Sequence, residues 1–171
     1  MPAVPVVGVS SSAKAGGVAR LEAEGLPVVV VLRSAHADDA AFSETCYAAA
    51  EAAGADLICL CGWLKKLAVP DRWAGRILNI HPGLLPRFGG AGMYGMHVHR
   101  AVLAAGVPES GATVHLVDGE YDHGRILDQL RVPVQSGDTA EDLQRRVYAA
   151  EMELYPRALA ARIAELARLE G

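Results

Sequence analysis

The feature that most constrains this chain is a recurrence along its length. Short runs rich in Val, Ile and Leu alternate with longer segments of good helix formers. Apolar runs that do not alternate with polar residues suit strands buried on both faces. Strands separated by helices imply parallel pairing, because the chain must cross back before the next strand begins. The pattern predicts strands over residues 4–9, 28–32, 57–61, 75–80, 113–117 and 125–134. Helices are predicted over residues 18–24, 38–53 and 95–105, each followed by a stop glycine, Gly25, Gly54 and Gly106. Thr139, with Asp142 three residues on, is an N-cap signature that opens a long helix to about Glu170. The last two strands are joined by a loop with no helix, so an antiparallel piece is expected there. The fold class is therefore α/β, a mostly parallel sheet flanked by helices with an antiparallel C-terminal portion. The length of 171 residues fits a single domain spanning residues 1–171.

Charge and cysteine usage narrow the function classes. The chain has 20 acidic and 16 basic residues, a formal net charge of −4, which argues against broad nucleic-acid affinity. No apolar run is long enough to span a membrane. The start, Met1-Pro2-Ala3-Val4, lacks the basic and apolar regions of a secretion signal, so a cytoplasmic location is the expectation. The three cysteines, Cys46, Cys59 and Cys61, do not make a disulfide framework. Cys59 and Cys61 are two apart in an apolar run, so they share a strand face, and buried packing is expected of them. No zinc-ligand spacing is evident, and no metal is expected. Self-association is left open by the composition.

In open α/β sheets ligands sit beyond the carboxyl ends of the strands. That rule points to the residues after Leu60, Leu78 and Val117, where the sequence becomes unusual. The run Leu78-Asn79-Ile80-His81-Pro82-Gly83-Leu84-Leu85-Pro86 places Asn79 and His81 on one face of a strand end. An amide donor beside an imidazole suits a developing oxyanion, and Pro82 and Pro86 stiffen the turn that follows. By itself such a pair also fits a capping Asn and a structural His. The segment from Thr113 to Gly124 runs from a strand into an acidic loop, where Asp122 can orient a His or take a proton from an amine. By itself it also fits a solvated turn. His97 and His99 are two apart on a helix, so their side chains diverge and do not make a metal pair.

Together these stretches resemble the glycinamide ribonucleotide formyltransferase family. Asn79, His81 and the Pro-Gly-Leu-Leu-Pro run resemble its Asn-x-His-Pro-(Ser/Ala)-Leu-Leu-Pro signature, and Asp122 falls on its catalytic Asp. The resemblance covers about Val6 to Leu159 and implies a Rossmann-like formyltransferase fold. It implies formyl transfer from 10-formyltetrahydrofolate, a co-substrate, to the amine of glycinamide ribonucleotide in purine biosynthesis, without a metal. Asn79 and His81 would then stabilise the oxyanion, and Asp122 would assist proton transfer. Leu64, Lys65, Lys66, Leu67 and Val117 are the implied folate positions, and Pro82 and Glu151 the implied nucleotide-substrate positions. His115 is implied as a supporting residue on its strand.

The resemblance also has a departure. Family members begin with a strand and a Gly-x-Gly-(Ser/Thr)-Asn loop that takes the nucleotide phosphate. Here the first strand aligns with the family's second, so the chain reads as N-terminally short. Two alternatives therefore stand beside the first reading. One is formyl transfer to another amine, such as an amino sugar. The other is a non-catalytic folate-binding remnant.

Overall fold

The computed structural model describes residues 3–169. The elements run β1 (Gly8–Ser10), α1 (Gly16–Ala23), β2 (Val28–Val30), α2 (Asp39–Ala52), β3 (Ile58–Leu60) and β4 (Ile77–His81). They continue with α3 (Met96–Ala104), β5 (Glu109–Leu116), β6 (Ile126–Pro133) and α4 (Ala140–Leu169). The alternation read from the sequence is the observed order. The predicted end of the last helix, Glu170, lies outside the described residues.

Three local expectations change. Residues 4–7 are not strand; Pro5 has no N–H to give a ladder, and Val4 is exposed. β5 begins four residues before the predicted start, because Glu109 to Ala112 pair with the opposite strand through Pro133 to Leu130. Cys59 and Cys61 are exposed, not buried. β3 is an edge strand whose Ile58 and Leu60 side packs on the α2 cluster, and Tyr155 from α4 only partly covers the Cys59 side.

Pairing divides the strands into two sheets. β1 and β2 form a parallel pair, and β3-β4-β5-β6 form a four-stranded sheet. β3 and β4 are parallel, whereas β4–β5 and β5–β6 are antiparallel. The antiparallel portion therefore begins one strand earlier than the loop between β5 and β6 alone suggests. The helix-bearing connection is long enough for a parallel crossover, yet β5 enters beside His81 and runs back along β4.

Two cores sit against these sheets. Leu143, Val147, Ala150, Leu154 and Ala158 recur every three or four residues along α4 and pack on Leu78, Ala112, Val114 and Val132 of the sheet. Phe42, Cys46, Tyr47 and Ala50 form the inner stripe of α2 and pack on Val31, Leu60, Trp73 and Ile77. The cap of α4 is the one the sequence announces, and Asp38 caps α2. Asp38 accepts from the Ala41 N–H, and Thr139 and Asp142 each accept from the other's backbone N–H.

α2 also positions the chain that follows β3. The Ala68 N–H donates to Ser43 Oγ at 2.9 Å, and Tyr47 Oη donates to the Ala68 carbonyl at 3.0 Å. These bonds fasten the end of the segment 62–67 to the helix. At the other side, the Tyr155 hydroxyl reaches the carbonyls of Leu60 and Leu78, each at 3.0 Å. One hydroxyl thereby ties α4 to both parallel strands just below where they deliver their loops.

Candidate active site

A cavity of about 800 Å³ lies over these strands. All ten residues singled out from the sequence line it: Asn79, His81, Asp122, Leu64, Lys65, Lys66, Leu67, Val117, Pro82 and Glu151. Its volume and its mainly apolar wall suit a drug-sized ligand with a few fixed polar contacts.

Asn79 and His81 project from one face of β4, as their spacing requires. Asn79 is paired in register with Leu60 on one side and His115 on the other, and His81 faces Thr113. Asp122 arrives differently from the strand-end expectation. β5 runs antiparallel to β4, so its carboxyl end lies beside Ile77, where the Val117 N–H bonds to the Ile77 carbonyl. The loop after it folds back so that Asp122 meets both His81 and His115. Asp122 sits at φ 56 in the left-handed region, which Asp tolerates better than most residues.

The hydrogen bonds fix the ring orientations. His81 Nε2 lies 2.8 Å from the Phe88 carbonyl, which can only accept, so Nε2 carries a proton. His81 Nδ1 faces Asp122 Oδ2 at 3.3 Å. His115 Nδ1 donates to the Leu116 carbonyl at 2.8 Å, and its Nε2 lies 3.1 Å from Asn79 Nδ2 and 3.6 Å from Asp122 Oδ1, so at most one amide proton of Asn79 is engaged there. That leaves the second amide proton of Asn79 free to face a ligand. Asp122 Oδ2 also accepts from the Gly90 N–H at 2.9 Å. Phe88 holds its carbonyl toward His81 from φ 57, a conformation that costs a bulky residue on the order of 1 kcal/mol.

Electrostatics at this centre are set by enclosure. Burial is the largest influence on His81 and holds it below the ordinary imidazole value, while Asp122 and the Phe88 carbonyl pull it upward. Burial works to raise Asp122, but the His115 and His81 rings and the Gly90 N–H outweigh it, leaving the carboxyl below its ordinary value. Both nitrogens of His81 face oxygens, so a proton added to the ring has two acceptors waiting. A negative charge forming in the pocket therefore draws that proton in.

The other named residues divide by element. Leu67 is buried, Leu64, Lys65 and Lys66 are exposed, and Val117 is half-buried against the cluster that includes Leu67. Trp63, between them and α2, stacks on Phe42 at 5.9 Å. Glu151 projects from α4, and burial pushes its carboxyl up to about 7. Among the described residues, no group of three or more His, Cys, Asp or Glu is arranged to hold a metal.

Sequence reasoning passed over three contributors. Thr113 donates to the Gly83 carbonyl at 2.6 Å and accepts from the Leu85 N–H and from Gln129, pinning the turn beyond His81. Tyr155 lies one turn after Glu151 on the same α4 face, a spacing that could have flagged it. His99 is buried against the cavity while His97 points outward to Tyr94, as the divergence of helical i and i+2 positions requires.

Comparison with known proteins agrees with this geometry. The formyl transferase family model matches residues 2–159. The phosphoribosylglycinamide formyltransferase of Escherichia coli K12 is 34% identical over 149 residues, covering 86% of this chain and 68% of that protein. The chloroplastic phosphoribosylglycinamide formyltransferase of Arabidopsis thaliana is 51% identical over 104 residues, 60% of this chain and 36% of its own length. Glycinamide ribonucleotide transformylase 1 of Symbiobacterium toebii superposes with a TM-score of 0.83 at 38% identity, covering 90% of this chain and 71% of that one. The chain also spans 15% of the bovine trifunctional purine biosynthetic protein adenosine-3, at 38% identity. By these matches the chain belongs to the formyl transferase family, among the phosphoribosylglycinamide formyltransferases.

Proposed function

We propose that this chain transfers a formyl group from 10-formyltetrahydrofolate to the amine of glycinamide ribonucleotide. The observation that carries the reading is the joining of Asn79, His81, His115 and Asp122 at one wall of a single cavity. The names of the E. coli and S. toebii relatives support the same acceptor.

Each residue has a role that its surroundings permit. Asn79 offers its free amide proton to the formyl oxygen, where negative charge grows as the amine nitrogen adds to the carbon. His81 takes up a proton from solvent as that charge forms and returns it as the oxyanion collapses, because Asp122 and the Phe88 carbonyl receive its two N–H groups. Asp122, held ionised, receives the proton the amine must lose and passes it towards the departing folate nitrogen. The bond made is carbon to the acceptor nitrogen, and the bond broken is carbon to the folate nitrogen.

Residues 64–67 and Val117 frame the folate end, with Lys65 and Lys66 exposed for its carboxylates. Glu151 and Pro82 frame the nucleotide end, where a carboxylate suits a sugar diol. The test is formyl transfer measured with both substrates in wild type, His81→Ala and Asp122→Asn. Loss of about 100-fold or more in each variant is expected. Near-normal turnover in both would sink the mechanism.

A further inference from the structure

Among the described residues, Trp63 Nε1 and His99 Nδ1 are ring nitrogens at this cavity that lack a partner, and of the two only the His99 nitrogen can accept. His99 sits on α3, is 2% exposed and lines the cavity. Its Nδ1 is enclosed and has no hydrogen-bond partner. Buried side-chain nitrogens are nearly always paired, so an orphan at a ligand cavity points to a partner supplied when the cavity fills. The ring is neutral, since burial and the nearby His81 both work against a charge on it. An enclosed lone pair without a partner is more tolerable than an enclosed N–H, so Nδ1 is the acceptor nitrogen.

Packing sets His99 at the reacting end. The preceding residue, Val98, lies against Gly83, with its Cγ1 3.0 Å from where a Gly83 Cβ would stand. The same position is 3.1 Å from His81 Nε2. Gly90, Gly92 and Gly95 belong to the neighbouring cavity wall and have open space beside them. At Gly90, Gly92 and Gly95 a Cβ would meet no atom within 4 Å. His99 Nδ1 itself is too enclosed to meet a ligand atom directly, so its partner is a molecule the size of water.

We propose that His99 is a positioning residue for the acceptor substrate: its Nδ1 accepts from one ordered water, whose oxygen accepts from the substrate's primary amine. The amine is thereby held facing His81 and Asp122. This inference rests on the formyl-transfer reading above.

Long-range nitrogen NMR of the histidine rings tests it in the wild-type protein. The His99 Nδ1 signal is expected to be that of an unprotonated nitrogen. It should shift on adding glycinamide ribonucleotide and stay still with the acetamide ribonucleotide, which lacks the amine. A protonated Nδ1, or no shift with the amine ligand bound, overturns the proposal. Variants supply the second arm. In His99→Asn, Oδ1 stands near the position of Nδ1 and should keep kcat/KM for the amine within about threefold. His99→Gln and His99→Leu fill the space better but lack that acceptor, and should lose about tenfold or more, with KM for the formyl donor unchanged. A purely structural His99 gives the reverse order, Leu and Gln above Asn. Should His99→Leu fail to fold, the wild-type NMR result decides. Normal formyl transfer with a silent His99 overturns this inference alone. A wild type that neither binds nor formylates the amine overturns the formyl-transfer reading, and this inference with it.

Discussion

His81 Nδ1 stands 3.3 Å from Asp122 Oδ2, and the two side chains are only 3% and 10% exposed. That separation is longer than a tight charged hydrogen bond. The pair is therefore poised for a proton and not locked around one. Removing the carboxylate removes the main upward pull on His81, leaving burial unopposed. Asp122→Asn should therefore lower the pH at which His81 protonates, read by NMR titration. The same variant should lower kcat by about 10²–10⁴ with a smaller change in KM. An unmoved His81 titration would show that the two groups are not coupled.

Glu151 carries a pH signature of opposite sign. Burial raises its carboxyl from 4.5 to about 7. Between those values the folded protein holds a proton that the unfolded chain has released. Its folding stability therefore falls as pH rises through that window, and the loss is complete above it. Glu151→Gln carries no such loss. The melting temperature of the variant, minus that of wild type, should rise across the window by the equivalent of roughly 1 kcal/mol, after solvent screening. A pH-independent difference would contradict an elevated carboxyl.

Thr113 is the support for the turn beyond His81. Thr113→Val keeps the shape but strands the enclosed Leu85 N–H and the Gly83 carbonyl. A cost of about 2–3 kcal/mol is expected in denaturant unfolding. Formyl-transfer kcat should fall as well, because the turn sets the backbone around His81. Unchanged unfolding would mean that water replaces both bonds.

Tyr155→Phe removes one hydroxyl that serves two carbonyls, those of Leu60 and Leu78. Stability should drop by about 1–2 kcal/mol. Hydrogen exchange should quicken at the carboxyl end of β3, an edge strand tied to α4 by this contact. Exchange confined to the helix would place the tether elsewhere.

Much of this protein was legible in the order of its residues. The alternation of apolar runs with helix formers set the element order, because strand and helix periods are properties of neighbours along the chain. Thr139 and Asp142 announced the start of α4, because capping is local. The spacing of Asn79 and His81 fixed their shared face of β4 for the same reason. What lay beyond the sequence depended on partners far away in it. The reversed direction of β5 made the Asp122 loop double back to His81, and pairing direction is decided by how the tertiary fold brings strand edges together. The exposure of Cys59 follows from the edge position of β3, not from its apolar neighbours. Thr113, Tyr155 and His99 read as ordinary strand and helix residues. Only packing gave them their places: two carbonyls for the tyrosine, the turn beyond His81 for the threonine, and an unpaired nitrogen for the histidine. Burial and distance make such groups consequential, and both belong to the tertiary structure.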